Sequence, residues 1–324
     1  MYILAGDIGG TKTNLALFFK KNPRSIYKEK KYPSQKFDNL HLILKDFLHG
    51  EEGVEKACFG IAGPVENGVC RATNLPWIVD ACEIGNTLKI PHVDLINDLE
   101  ANAWGVAWLK DYEFLTLNKG DSSMQGNKAL IAAGTGLGEA GFFWDGHQHH
   151  PFACEGGHCD FAPTDQEQIE LWQYLRAKFD HVSYERILSG PGLVSLYQFF
   201  IDTGKERESL ETKKAMAADN PSKVITEMAL TKRCKACIRT LDLFVYIYGV
   251  ESGNLALKFL SLGGLYIGGG IAPKIVDIMK SGIYMKGFTS KGRFAKILSQ
   301  IPIQLILNEN TALIGASRYA SERK

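Results

Sequence analysis

Residues 4–19 read LAGDIGGTKTNLALFF. One apolar run enters this stretch and another leaves it. Between them sit Asp7, the adjacent glycines Gly9 and Gly10, and Thr11. The pattern predicts two strands, 2–5 and 15–19, joined by a tight turn. Adjacent glycines let a backbone adopt φ > 0 and approach a ligand closely. Successive N–H groups in such a turn form a nest for anions, to which Thr11 adds a hydroxyl. Asp7 would repel a bare phosphate, but it suits the site if a hydrated Mg²⁺ stands between them. The competing reading of these residues is a hairpin turn that holds no ligand.

A second turn of the same kind lies in GTGLGEA, residues 134–140, with Gly134, Thr135, Gly136 and Gly138 between strands expected over 129–133 and 139–144. The echo suggests two related halves, each presenting a glycine turn to one nucleotide. No short solenoid period is present. A third loop, Gly268, Gly269 and Gly270, follows the apolar strand 265–267 and opens a helix containing Pro273. It either presents backbone to an adenine ring or packs strand against helix. The chain carries no G-x-x-x-x-G-K-[ST], and no G-x-G-x-x-G in a strand-to-helix setting.

Working outward, 26–32, 56–62 and 92–96 read as strands and 40–48 as a helix. NDLEANAWGVAWL after residue 96 reads as a helix too. Alternating β and α elements argue for an α/β fold with parallel pairing. The 324 residues suggest two domains, with a boundary near residue 110 and a polar break at 118–128. Residues 202–223 read as charged surface helix and loop. The spacing of apolar residues over 224–262 predicts a long core-facing helix broken near 249–253. NTALIGASRYA, near the end, is helical.

Asn97 and Asp98 fall at the carboxyl end of a strand and the start of a helix, where open α/β sheets bind ligands. Asp98 is equally readable as a helix cap. CEGGHCDFAP crowds Glu155, His158 and Asp160 around two glycines. Carboxylate and imidazole match the paired donors and acceptors of a polyol, or a metal. Glu185 precedes a helix, and Glu185 with Arg186 alternatively makes a surface ion pair. HQHH at 147–150 reads as a turn more readily than as a metal site.

Formal net charge is +1, which offers no global field for nucleic acid or membrane. No run approaches the ~20 apolar residues of a membrane span. The chain enters its first strand without a basic segment and signal-type apolar core, so a cytoplasmic location is expected. Seven scattered cysteines are expected as reduced thiols. Cys234 and Cys237 share one helix face and are expected in the core.

Nine segments taken together, in order, resemble bacterial glucokinases of the hexokinase–actin superfamily: DIGGTKTNLAL, FGIAGPV, TNLPW, INDLEANAWG, GTGLGEAG, EGGHCDFAP, ERILSGPGLVSLY, GGLYIGGGIAP and ENTALIGAS. The resemblance implies two ribonuclease H-like (actin-like ATPase) α/β domains with a cleft between them. The first comprises 1–110 plus about 300–324, because the C-terminal helix returns to it, and the second 111–299. It implies transfer of the γ-phosphoryl of ATP to O6 of glucose with Mg²⁺, the entry step of glycolysis. Asp98 then matches the general base, and Asn97, Glu155, His158 and Glu185 match sugar ligands. Asp7, Gly9, Gly10 and Thr11 match the first phosphate loop, and Gly134, Thr135, Gly136 and Gly138 the second. Gly268, Gly269 and Gly270 match the adenosine side. No residue binds the metal directly; Mg²⁺ arrives on ATP, with Asp7 acting through water. A homodimer is expected from the family. The cysteine-rich zinc motif of related sugar repressors and kinases is replaced by Phe161-Ala162-Pro163-Thr164, and no helix-turn-helix precedes the first strand, so neither zinc nor DNA is expected. The alternatives are a kinase for mannose or fructose and a non-catalytic sugar sensor; Asp98 counts against the sensor.

Overall fold

The computed structural model describes residues 1–72 and 75–323. Thr73 and Asn74 of the TNLPW segment, and Lys324 at the end of the expected first domain, lie outside the described residues. In chain order the first elements are β1 (Tyr2–Ile8), β2 (Lys12–Phe19), β3 (Asn22–Pro33), α1 (Leu40–Phe47) and β4 (Val54–Ile61). Three short strands follow, β5 (Val65–Glu66), β6 (Val69–Arg71) and β7 (Ile78–Asp80), then α2 (Ala81–Leu88), β8 (His92–Asn97) and α3 (Asp98–Val106). The main sheet has the order β3-β2-β1-β4-β8. β1 is antiparallel to β2 and parallel to β4, and β4 is parallel to β8. β1 is buried on both faces over residues 3–6, which is why its sequence is apolar there. Leu4 and Ile8 join Leu15, Leu17 and Phe59 in a core with α1. Ile3 and Ala5 join Ala16, Phe18 and Cys58 in a second core on the other face.

The next elements are β9 (Phe114–Asn118), β10 (Lys128–Ala133), β11 (Leu137–Trp144), β12 (His149–Cys154), α4 (Gln166–Arg176), α5 (Gly190–Asp202), α6 (Leu210–Ala218), α7 (Pro221–Leu230) and α8 (Lys235–Phe259). After them come β13 (Gly264–Gly268), α9 (Val276–Lys280), α10 (Ile283–Phe288), α11 (Ala295–Ser299) and β14 (Ile303–Ile306). The six-stranded sheet has the order β12-β11-β10-β13-β14-β9. β10 is antiparallel to β11 and parallel to β13, and β13 is parallel to β14. The two sheets therefore repeat one scheme: a hairpin whose first strand then pairs in parallel with later strands.

The last helix, α12 (Thr311–Glu322), packs on α3 and β1. Glycines set its distance: a Cβ on Gly105 would collide with Thr311 O, and one on Gly315 with Ala101 O. The chain divides into two compact units, Met1–Phe114 with Pro151–Ala153 and Asn308–Lys324, and Leu115–His150 with Cys154–Leu307.

The helix expected over 224–262 with a break near 249–253 is two helices instead. α7 ends at Leu230, Lys232 takes φ 56°, and α8 then runs unbroken through Gly249 and Gly253. Those glycines make room rather than interrupt. A Cβ on Gly249 would collide with Tyr284 O, and one on Gly253 would stand 2.5 Å from Phe288 O, so α10 lies directly on α8. Cys234 and Cys237 are buried where α8 begins, and Cys234 Sγ accepts the Cys237 N–H at 3.4 Å.

Candidate active site

The first glycine turn closes with the Gly9 N–H donating to Lys12 O at 2.9 Å. Across the hairpin Asp7 pairs with Asn14 and Ile8 with Thr13. Ser34, fully buried, clamps the turn from outside. Its Oγ donates to Gly9 O at 2.8 Å, its N–H to Thr11 O at 3.1 Å, and its hydroxyl lies 2.9 Å from Thr13 Oγ1. Thr11 is exposed. Burial pushes the Asp7 carboxyl up to about 6, against the opposing field of Lys31. Asn14 Oδ1, beside it, is buried with no hydrogen-bond partner among the described residues.

The second turn closes with Gly134 N–H donating to Gly136 O at 2.8 Å. It is clamped by Glu185, whose Oε2 accepts the Leu137 N–H at 2.9 Å, and by the Gly190 N–H, which donates to Gly134 O at 2.9 Å. A Cβ on Gly136 would collide with that Glu185 oxygen. Thr135 is exposed at the tip. The third loop stands beside it, with a Cβ on Gly134 lying 4.0 Å from Gly270 N. Left-handed backbone, expected of the glycine turns, occurs at Gly269 (φ +82°) and not at Gly9, Gly134 or Gly136. Gly136 is required by close approach, and Gly269 by both, since its Cβ would collide with Ala133 O.

The cap of α3 is Asn97. Its Oδ1 accepts the N–H groups of Leu99 at 2.9 Å and Glu100 at 3.3 Å, and its Nδ2 lies 3.4 Å from Gly63 O. Asn97 is nearly buried, at 7 % exposure. Asp98 is the first residue of the helix, half-buried, with Oδ1 2.9 Å from the Leu99 N–H. The strand end that aims both residues is fixed by Gly60 on β4, where a Cβ would lie 2.7 Å from Ala101 Cβ and 3.5 Å from Asp98 Cα.

Glu155 and His158 are exposed and bracket the 3-10 turn Gly156–His158, with the His158 N–H donating to Glu155 O at 3.0 Å. This turn lies flat on β11: a Cβ on Gly157 would collide with Leu137 O, and one on Gly156 with Glu139 Oε2. His158 and Glu185 line one cavity of about 380 Å³ together with Ser183 and Arg186. A cavity of about 630 Å³ around α2 contains none of the candidate residues. Arg186 stacks its guanidinium 4.2 Å from the Phe179 ring rather than pairing with Glu185. Asp160 lies 2.8 Å from His181 Nε2. In HQHH, His150 pairs with Asp145 at 2.6 Å and His149 lies 3.0 Å from Gly126 O. Among the described residues no group of three His, Cys, Asp or Glu side chains is placed to hold a metal ion, and no helix is long and apolar enough to cross a membrane.

Two residues of this region were not candidates in the sequence. Ser34 carries no signal there, being one serine in a polar stretch. Glu139 does carry one: it is a lone acid in the otherwise apolar strand LGEAGFFW.

The model of the family described as Glucokinase matches residues 4–323. A glucokinase of Nostoc sp. (strain PCC 7120) is 40 % identical, with 98 % of each chain covered. Among solved structures, glucokinase from an Antarctic psychrotroph aligns with a TM-score of 0.83 at 29 % identity, covering 99 % of each chain. Glucokinase from Balamuthia mandrillaris in complex with glucose aligns at 0.84 and 21 % identity, over 98 % of this chain and 93 % of that one. A glucokinase of the ROK family from Streptomyces griseus, in complex with glucose and AMPPNP, aligns at 0.69 and 18 % identity over the whole of both chains. The last two are likenesses of fold.

Proposed function

The chain belongs to the glucokinase family, and from that premise we propose how its residues share the transfer of a phosphoryl group from ATP to glucose. The protein is an enzyme, and it phosphorylates glucose. Phosphoryl transfer asks for positioning and charge stabilisation more than for covalent chemistry. Asp98 is the general base, accepting the proton of glucose O6 as that oxygen attacks the γ-phosphorus. Glu155, His158 and Glu185 bind sugar hydroxyls. Asn97 contributes through Nδ2, because its Oδ1 is committed to the helix cap.

The first turn (Asp7, Gly9, Gly10, Thr11) and the second (Gly134, Thr135, Gly136, Gly138) take the phosphates, and Gly268, Gly269 and Gly270 the adenosine. Asp7 and Asn14 fit a hydrated cation riding on those phosphates. They place two acceptors side by side, one of them the orphaned Asn14 Oδ1, and Asp7 makes no side-chain hydrogen bond among the described residues. Mg²⁺, when bound with ATP, supplies charge neutralisation at the phosphates.

The observation that supports this division most is the double position of Glu185, which clamps the second glycine turn and lines the His158 cavity. Glu185 thereby touches both the second glycine turn and the cavity that His158 lines. ADP release measured with glucose, mannose and fructose tests the reading: glucose should give the highest kcat/KM, and equal rates for the three sugars would contradict it. The resemblance also supports a cytoplasmic homodimer, which light scattering of the purified chain reads directly.

A further inference from the structure

Beneath the turn Gly156–His158 lies a group that the reaction as described does not use. Glu139, on β11, is 1 % exposed, and no described donor reaches either of its carboxyl oxygens. It faces the carboxyl of Glu251 on α8, which is fully buried. The two are not equivalent. Glu251 accepts from Asn254 Nδ2 at 2.8 Å, lies 3.4 Å from Lys258 Nζ, and is hydrogen-bonded by the Tyr184 hydroxyl. Two carboxylates have no donor between them, so they bond only when one carries a proton. Burial raises Glu251 as well, but its donors favour its charge while Glu139 has none, so the shared proton sits on Glu139.

Gly156 rests directly on this carboxyl, where a Cβ would collide with Glu139 Oε2. Leu137 and Glu139 project from the same face of β11, and the two glycines of the turn sit one on each. The turn carries Glu155 at one end and His158 at the other. Its height above the sheet is thus set by the Glu139 side chain, which is held in turn to α8 through Glu251.

We propose that Glu139 is a positioning residue for glucose: its protonated carboxyl, bonded to the Glu251 carboxylate, is the floor on which Gly156–His158 rests, and ionising or removing it weakens glucose binding. This rests on the reading that Glu155 and His158 hold the sugar. Burial and then the Glu251 charge push Glu139 up to about 8, with Lys258 opposing. The other titratable groups that face it lie higher. Cys154 is pushed up to about 11 by burial, and Tyr248 and Lys258 are raised above their ordinary values; against Glu251, Tyr184 is raised and Lys291 is lowered, both by burial first. Loss of the Glu139 proton sets two negative charges against each other under Gly156, and the turn lifts.

Glucose affinity by calorimetry, without nucleotide, from pH 7 to 9.5 tests this. Wild type should lose at least fivefold in affinity with a midpoint near 8. Glu139→Gln keeps a neutral donor toward Glu251, so it should bind with near wild-type affinity at pH 7 and stay flat to pH 9.5. Glu139→Ala should be weakened at least fivefold at every pH, and the Gln variant should rescue it. Parallel profiles for wild type and Glu139→Gln would overturn the proposal; that comparison decides it even where Glu139→Ala fails to fold. Glu155→Ala and His158→Ala separate the two levels of the argument. If neither weakens glucose binding, the sugar-loop reading fails; if both do while Glu139→Gln tracks wild type across pH, the positioning role alone fails.

Discussion

The two glycine turns share a scaffold and differ in how they are held. Each joins an antiparallel hairpin whose first strand pairs in parallel with a later strand. The first is clamped by a hydroxyl, with Ser34 donating to Gly9 O, and its acid, Asp7, stands before the turn and is only partly buried. The second is clamped by a carboxylate, with Glu185 accepting from Leu137 N–H, and its acid, Glu139, stands after the turn and is buried. A neutral clamp with a partly buried acid suits the phosphate and hydrated-cation role proposed for the first turn. A charged clamp with a buried acid ties the second turn to the loop bearing Glu155 and His158. One hairpin scheme thus serves two ends through the residues that surround it.

The pH dependence of stability should expose this difference most. Glu139 is raised from its ordinary value to about 8. Its contribution to stability is therefore fully present below the unfolded value and is lost as pH rises to about 8, with a slope of at most about 1.4 kcal/mol per pH unit. Asp7 is raised only to about 6, so its loss is complete two units earlier. Urea midpoints at pH 5.5 and 7.5 should show Glu139→Gln losing less stability than wild type over that interval. Asp7→Asn should change the profile only below about pH 6. Identical effects of the two variants would erase the contrast.

Gly136→Ala forces the Glu185 carboxylate off the Leu137 N–H. A charge-assisted hydrogen bond of this kind is worth about 1.5–3 kcal/mol, so kcat/KM should fall by roughly 10–100-fold. Gly9→Ala adds a methyl 3.2 Å from Lys12 O that does not reach the Ser34 clamp and strains no left-handed backbone. Steady-state kinetics should rank Gly136→Ala as the more damaging, and the reverse ranking would mean that the first turn tolerates less than its geometry implies. Smaller still is Ser34→Ala, which leaves Gly9 O and Thr13 Oγ1 short of a partner and should cost about 1 kcal/mol of stability in a urea titration. Smallest is His150→Ala at the exposed pair with Asp145, expected to leave both stability and activity close to wild type.

Much of this was readable in the sequence, for physical reasons. β1 and β2 announce themselves because strands buried on both faces are apolar throughout, and the turn between them because only small or polar residues sit there. The paired sheets were visible as an echo between two glycine turns. Other features were misread because one residue type serves two physical purposes. Gly249 and Gly253 suggested a broken helix, yet they thin one face of α8 so that α10 can approach. The glycine turns suggested left-handed backbone, whereas Gly136 needs only the absence of a side chain. The sequence offers Asp98 as a possible cap, and the cap is Asn97. Ser34 and the Glu139–Glu251 pair depend on contacts between residues far apart in the chain, which no local pattern encodes.

That Asn97 is the cap makes Asp98→Asn the cleanest single measurement of the account, because a change at Asp98 leaves the cap intact. Under the proposed assignment the amide would keep the size of the side chain and a hydrogen bond to glucose O6, but it could not take the proton. Steady-state kinetics beside glucose titration by intrinsic fluorescence should show kcat reduced by about 10²–10⁴-fold. Glucose affinity should stay within about threefold of wild type, as expected for an interaction made in the transition state. A variant that binds glucose and turns over at near wild-type kcat would contradict the assignment of Asp98 as the base.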